Sequence, residues 1–257
     1  MNQLRMKTPI KYLLRDYRHV IIIMYLCIYL VMLLIAASNY LAVRIGSSNG
    51  VETVTAVTIF IVGLNSFKEN FKFFSANGVS RRTQFCSTAA ALGILSVIFA
   101  LIDSINALIF THLTVYSPMF LKIYGTRFGY PANANVPMAS PALTLQVLFE
   151  NFMWLVFLYF ILSMIGFFIT ILYYRMNRAL KITVSIAVPV VLMNGIQVLD
   201  DHFFQGKIGA FFRSAANAAL GITSGHNPYI GMISMLLGTA FFAVLAYLLA
   251  RKAIVRR

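Results

Sequence analysis

Asp103 is an ionisable side chain inside an otherwise apolar run, which makes it the residue of this sequence best placed to do chemistry. It lies about 22 Å along a helix from the start of that run, at about 1.5 Å per residue, and Asn106 follows one turn later. A carboxylate inside a bilayer is costly unless it is paired, protonated or hydrated, so such residues usually face a cavity or an interface. Two interpretations stay open: Asp103 lines a polar pathway through the membrane, or it makes a structural hydrogen bond to Asn106 or to a neighbouring helix.

Further polar side chains lie near the outer ends of two other apolar runs. Glu150 opens one of these runs, and Asn194 and Gln197 lie late in another. Positions so close to the lipid headgroups favour a hydrated, structural role. Together with Asp103 and Asn106, these three residues are nevertheless our candidates for the lining of a pathway.

Catalytic, cofactor-binding and metal-binding motifs are not found in the sequence. There is no G-x-x-x-x-G-K-[ST] phosphate loop and no H-E-x-x-H pair, and the four histidines lack H-x-x-x-H spacing. We interpret Gly221–Gly225 as a loop break rather than a serine-nucleophile turn, and Asp200-Asp201-His202 as the start of a solvated loop. We therefore expect no enzymatic activity, no bound cofactor and no metal in this chain.

A second group of residues with a functional pattern lies between residues 68 and 87. Asn77-Gly78 predicts a turn, and Ser80 can cap a helix that follows it. Two short helical pieces should therefore meet at Gly78, with Arg81 and Arg82 near the apex. Three aromatic residues are expected to be exposed in this segment, in contact either with another protein or with lipid: Phe71, Phe74 and Phe85.

Six apolar runs must position these groups, and they predict an all-α polytopic membrane protein with a single domain. A spanning helix needs about 20 mostly apolar residues, and the runs cover residues 19–43, 51–67, 88–113, 147–173, 182–199 and 229–250. Sixteen of the 21 Lys and Arg residues lie on one side of these runs. The positive-inside rule therefore predicts that both termini are cytoplasmic. Topology and anionic lipid then explain the net charge of +14, and nucleic-acid binding is not needed to explain it.

Three segments outside the runs have patterns of their own. Residues 1–18 predict an amphipathic helix on the inner leaflet, because apolar residues recur there at helical spacing: Ile10, Leu13, Leu14 and Tyr17. This helix is either a plain anchor or a docking surface. Residues 114–146 are rich in proline and aromatic residues and predict a folded external lid. Residues 200–228 predict an external helical segment in the outer leaflet before the sixth run.

From Ala76 to Arg82 the chain reads Ala-Asn-Gly-Val-Ser-Arg-Arg, which is similar to a G-x-S-R-[KR] element in the permease subunits of type-two ABC transporters. The resemblance covers nearly the whole chain, because the order of amphipathic helix, spans, basic connection and external helical segment is also similar. In that family the element forms a coupling helix that docks on the ATPase. The resemblance therefore implies that residues 68–87 are a cytoplasmic coupling region with these contact residues: Phe71, Phe74, Gly78, Val79, Ser80, Arg81, Arg82 and Phe85.

The resemblance also implies a transporter in the bacterial cell membrane with two permeases, identical or related, and two copies of a separate ATPase subunit that holds ATP and Mg. Small permeases of this kind resemble Gram-positive exporters of amphipathic or antimicrobial peptides, so peptides are the expected substrate. Drugs, lipids or other hydrophobic small molecules are the alternative. The competing class is a membrane protein without an ATPase, namely a channel, a secondary transporter or a scaffold, although no internal repeat is obvious.

Overall fold

The structure is a computed structural model that describes residues 2–40, 50–113, 116–129, 144–190 and 206–251. Within these ranges the regular elements are all helical, so the all-α prediction is confirmed. Five of the described helices are long and apolar enough to cross a membrane: Lys7–Ser38, Val51–Ala76, Arg81–Thr111, Leu145–Arg175 and Pro228–Arg251. They coincide with the first four predicted runs and the sixth, as expected of a multi-pass membrane protein. The predicted fifth run, residues 182–199, is described only as far as Val190.

The described helices are numbered here in chain order. They are α1 (Asn2–Tyr40), α2 (Val51–Asn65), α3 (Lys68–Ala76), α4 (Arg81–Leu113), α5 (Met119–Tyr124), a 3-10 helix (Gly125–Phe128), α6 (Leu145–Arg175), α7 (Arg178–Val190), α8 (Lys207–Ala219) and α9 (Pro228–Arg251). Helix α3 and the first turns of α4 are the two helical pieces predicted on either side of Gly78. Because α4 begins at Arg81, Phe85 belongs to that helix and not to a loop.

Helix α1 is a single helix of 39 residues, which corrects the prediction of a separate interfacial helix over residues 1–18. Residues 10–40 contain no Gly or Pro that would break the helix. At about 1.5 Å per residue the helix is about 58 Å long, roughly twice the thickness of the hydrocarbon core of a bilayer. Its amphipathic face packs inside the protein, since Leu13 and Tyr17 are buried and the Tyr17 Oη atom lies 2.7 Å from Ser66 Oγ.

Helix α6 packs against α2, α4 and α9 and forms the centre of the described bundle. Its contact with α2 is made through glycines: a Cβ atom at Gly63 would overlap the carbonyl oxygen of Ser163, and one at Gly166 would overlap that of Phe60. Small residues at such crossings allow two helix backbones to approach closely. The α2–α6 contact therefore leaves no room for a larger side chain at either glycine.

The segment that contains α5 and the 3-10 helix covers one end of the bundle. Phe120 and Tyr124 are buried against Trp154 of α6, and the Tyr124 hydroxyl donates to the carbonyl oxygen of Leu220 at 2.8 Å. Burial raises the pKa of Tyr124. This segment lies within the predicted lid, of which residues 130–143 are outside the described ranges. Helix α8 lies within the external segment that was predicted to be helical, and it has no buried residue.

Candidate functional site

Asp103 lies in a hydrogen-bonded junction with two tyrosines from other helices. Its side chain is 1% exposed. Tyr25 of α1 donates its hydroxyl to Asp103 Oδ1 at 2.9 Å, and Tyr159 of α6 donates to Oδ2 at 2.5 Å. One helical turn later, Tyr29 donates to Asn106 Oδ1 at 2.9 Å. These contacts, which we call the tyrosine–carboxyl junction, tie α1, α4 and α6 together.

Glu52, in the first turn of α2, is a second buried carboxyl group beside this junction. It was not among the candidate residues. Its Oε1 atom accepts the main-chain N–H of Met119 at 3.3 Å, and the Tyr159 hydroxyl lies 3.5 Å from the Glu52 carbonyl oxygen. Tyr116 also hydrogen-bonds the Glu52 carboxyl. Burial raises the pKa of Tyr116, and the nearby Glu52 charge raises it further, because a phenolate would form beside another negative group.

Glu150, at the start of α6, belongs to a separate polar cluster at the same end of the bundle. It is buried, and its Oε1 atom accepts the Gln146 amide at 3.0 Å and the Tyr229 hydroxyl at 3.1 Å. The Arg127 guanidinium lies over the Tyr229 ring, 5.4 Å from its centroid, and donates to Asn227 Oδ1 at 3.0 Å. This cluster joins the 3-10 helix, α6 and α9.

The candidate pathway residues thus have different positions in the structure. Asp103 and Asn106 are brought together and are buried, and Glu150 is buried elsewhere. Asn194 and Gln197 lie outside the described residues. Within the described ranges, hydroxyl and amide groups, rather than Lys or Arg, donate to the three buried carboxyl groups. One oxygen of Glu52 and one of Glu150 are buried without a hydrogen-bond partner there. When the helices move, such a carboxyl group can gain or lose a proton or exchange one hydrogen-bond partner for another. It can bind a solute only after its contacts with the tyrosines have opened.

The turn between α3 and α4 is closed by well-defined helix caps. Gly78 has a φ of 70°, the Val79 N–H bonds the Phe74 carbonyl at 3.0 Å, and the Gly78 N–H bonds the Ser75 carbonyl at 3.2 Å. This is the Schellman arrangement that ends a helix at a left-handed residue. Ser80 Oγ then accepts the Thr83 N–H at 3.2 Å, which confirms the predicted cap of the following helix. We call α3, this turn and the first turns of α4 the basic hairpin.

The aromatic residues of the basic hairpin are placed differently from the prediction. Phe71 and Phe74 are each 3% exposed, and Phe85 is half-buried, so the expectation that these rings are exposed is wrong. Phe67, Phe71 and Phe74 follow one another at i, i+4 and i+7, the spacing of a single helix face, and that face packs on the bundle. Phe71 stacks on Phe67 at 4.8 Å and contacts the ring of Tyr174 in α6.

Phe73 is the aromatic residue that the hairpin does expose, and the sequence analysis missed it. It is 47% exposed and stacks on Tyr12 of α1, which is 45% exposed. The two ring centroids are 4.9 Å apart and the ring planes differ by 12°. Phe73 could have been identified from its position, because it lies outside the i, i+4, i+7 series of the buried rings.

Arg81 and Arg82 are both exposed, but only Arg81 is tied to another helix by a described contact. Its Nη1 atom donates to the carbonyl oxygen of Arg251 at 2.9 Å. That carbonyl belongs to the last described residue of α9. Arg81 therefore links the hairpin to the last helix across 170 residues of sequence.

The hairpin and the buried carboxyl groups are the features of this bundle from which a function can be argued. Within the described ranges, no group of three His, Cys, Asp or Glu side chains could hold a metal ion. No family model matches the chain, and comparisons with curated proteins and with solved structures find no match either.

Proposed function

We propose that this chain is the transmembrane permease subunit of an ATP-driven ABC exporter. It would act in the bacterial cell membrane with a second permease copy and two copies of a separate ATPase subunit. The observation that carries the proposal is the basic hairpin: a capped turn between two candidate spans, the first of which ends with the short helix α3. The sequence of this turn resembles a coupling element. We further propose that the exported substrate is an amphipathic or hydrophobic peptide.

The contacts of the basic hairpin suit a coupling role, because they reach several spanning helices. Phe71 contacts Tyr174 near the end of α6, Arg81 bonds the end of α9, and Tyr12 of α1 stacks on Phe73. The hairpin is continuous with α2 and α4. A force applied to this turn by a partner would therefore be transmitted to the ends of five helices.

The proposed mechanism is a population shift driven by nucleotide. Closure of the ATPase dimer on ATP would bring the hairpins of the two permeases together and favour one arrangement of the spanning helices over the other. The tyrosine–carboxyl junction lies between α1, α4 and α6, so relative movement of these helices would open or close it. Opening would expose Asp103 to the interface between the permeases, where a cationic peptide would find a negative partner.

The experiment that tests the proposal is purification of the tagged chain from its native host in a mild detergent, followed by mass spectrometry. A P-loop ATPase is expected in the wild-type preparation and not in a variant with residues 78–82 scrambled. Size-exclusion chromatography must show that the variant is still folded. A matched control is a chain with Phe211 and Phe212 of α8 changed to Ser, since both rings are exposed and α8 is predicted to be external.

Loss of the ATPase from the hairpin variant alone would support the coupling role. A folded wild-type chain that brings no ATPase with it would contradict the proposal and favour a channel or a scaffold. The substrate is tested separately: peptides should stimulate ATP hydrolysis by the reconstituted complex, and Asp103→Asn should reduce that stimulation. Unchanged stimulation in Asp103→Asn would exclude a role of Asp103 in substrate binding.

A further inference from the structure

Tyr12 and Phe73 form an aromatic pair whose outer faces are exposed and whose edges contact the buried ring of Phe74. The two rings stack on each other across α1 and α3, and each keeps nearly half of its surface exposed. The buried side of the hairpin is filled by other rings, those of Phe71 and Phe74. Rigid aromatic side chains with free surface are typical anchors of protein interfaces.

The position of Tyr12 along α1 argues against insertion of this pair into lipid chains. The apolar run of α1 is bounded at this end by exposed Asp16, Arg18 and His19. Tyr12 precedes His19 by seven residues, which is about 10 Å along a continuous helix. Each headgroup layer of a bilayer is only about 5 to 7 Å thick beyond the hydrocarbon core. If α1 crosses the bilayer steeply, Tyr12 therefore lies at or beyond the outer limit of the headgroups.

The charges around the pair indicate the chemistry of the surface that would cover it. Exposed cations on α1 and α3 outnumber the exposed acids, Asp16 and Glu69. The cations are Lys7, Lys11, Arg15, Arg18, Lys68 and Lys72. A complementary partner would place an apolar slot over the rings and carboxylates around its rim, and such complementarity gives specificity and fast association.

We infer that the Tyr12–Phe73 pair is the aromatic anchor by which this chain docks on its cytoplasmic ATPase, in a slot rimmed by acidic residues. The inference rests on the proposed function, and it moves the main contact from Phe71 and Phe74 to a composite surface of α1 and α3. The capped turn at Gly78 then holds α3 in place under α1, and the anchor transmits the movement of the ATPase to both helices.

The test is a titration of the purified permease, in detergent, with the P-loop ATPase that co-purifies with the wild-type chain. The double variant Tyr12→Ala/Phe73→Ser is expected to lose at least tenfold in affinity. Because the variant keeps the rim charges, the affinities of the wild type and the variant should both fall as the salt concentration rises. Phe211→Ser/Phe212→Ser is the matched control and should bind as the wild type does. The single variant Phe73→Tyr keeps a flat ring at this position and leaves Tyr12 intact, so it should retain most of the wild-type affinity for the ATPase.

The possible outcomes separate the two proposals. If the ATPase binds the wild type and the double variant equally, the anchor is wrong and the proposed function stands. If no ATPase co-purifies with the wild type, both are wrong. A polarity-sensitive fluorophore on Tyr12→Cys, in a chain whose Cys27 and Cys86 are changed to Ser, provides a second readout: it should respond to the ATPase and not to phosphatidylglycerol vesicles. A response to the vesicles alone would make the pair a lipid anchor and would overturn the inference.

Discussion

Tyr159→Phe isolates one hydrogen bond of the tyrosine–carboxyl junction, because it removes only the hydroxyl that donates to Asp103 Oδ2. The Tyr159 side chain is fully buried, so water cannot replace the lost donor. A hydrogen bond to a charged group contributes about 1.5–3 kcal/mol, and one between neutral groups about 0.5–1.5 kcal/mol. We expect the variant to lower the free energy of unfolding by about 1–3 kcal/mol, since the acceptor remains buried.

The assay is unfolding of the purified chain from mild detergent micelles by added dodecyl sulfate, followed by far-ultraviolet circular dichroism. Tyr247→Phe is the matched control. Tyr247 is half-buried and packs its ring on Phe85 at 5.3 Å, and within the described residues its hydroxyl has no hydrogen bond. The control should therefore change stability by no more than about 0.5 kcal/mol.

A double-mutant cycle decides whether the cost of Tyr159→Phe comes from Asp103. In an Asp103→Leu background the Tyr159 hydroxyl has lost this acceptor, so the cost of removing it should fall below about 0.5 kcal/mol. The coupling energy between the two sites should therefore be about 1 kcal/mol or more, as for groups in direct contact. An equal cost in both backgrounds would refute the interpretation that this hydrogen bond stabilises the junction.

Three further variants test other contacts by the same unfolding assay. Gly166→Ala should destabilise the protein by about 1–3 kcal/mol, because the new Cβ atom overlaps the backbone of α2. Gly93→Ala is the control and should be neutral or slightly stabilising, because its Cβ atom meets only a ring edge at 3.5 Å. Equal effects of the two variants would contradict the close α2–α6 contact. Gly78→Ala should cost about 1 kcal/mol from its left-handed backbone alone, since no atom lies within 4 Å of the new Cβ, and Asn should cost less than Ala. Arg81→Ala should lower stability by about 0.5–1 kcal/mol through loss of its hydrogen bond to the Arg251 carbonyl, whereas Arg82→Ala should have no such effect. Equal effects of the two variants would contradict this contact.

The sequence identifies most of the spanning helices, because long apolar runs without breakers have few alternatives. The sequence also predicts the turn at Gly78 and the cap at Ser80, because these depend on local chemistry: an Asn-Gly pair and a serine hydroxyl. It does not show where an amphipathic face will pack. Leu13 and Tyr17 have the spacing of a membrane-surface helix, but in the structure both are buried and Tyr17 contacts Ser66 at the end of α2.

Buried polar contacts are even less accessible from sequence, because they join residues that are far apart in the chain. Asp103 is conspicuous inside an apolar run, but its partners Tyr25 and Tyr159 are 78 and 56 residues away and read as ordinary apolar-run residues. Glu52 was overlooked for the opposite reason. It lies near the end of its run, where a hydrated side chain is expected, and only the packing of Tyr116 and Met119 over it makes it buried.

Helix α1 joins the two candidate sites, because Tyr12 and Tyr17 contact the hairpin region while Tyr25 and Tyr29 contact the junction. Its lack of a break makes it stiff over the 13 residues from Tyr12 to Tyr25, about 20 Å. Two hydroxyl–carboxyl bonds of about 1.5–3 kcal/mol each match the roughly 5.5 kcal/mol that moves a two-state equilibrium from 1:99 to 99:1. The junction therefore has the energy scale of a conformational switch under the proposed function. A reporter for this opening is Ala107→Cys, at a buried position one helical turn after Asp103, in a chain whose Cys27 and Cys86 are changed to Ser. Tyr25→Phe/Tyr159→Phe should then raise labelling of this cysteine from the aqueous phase, and unchanged labelling would limit the junction to a structural role.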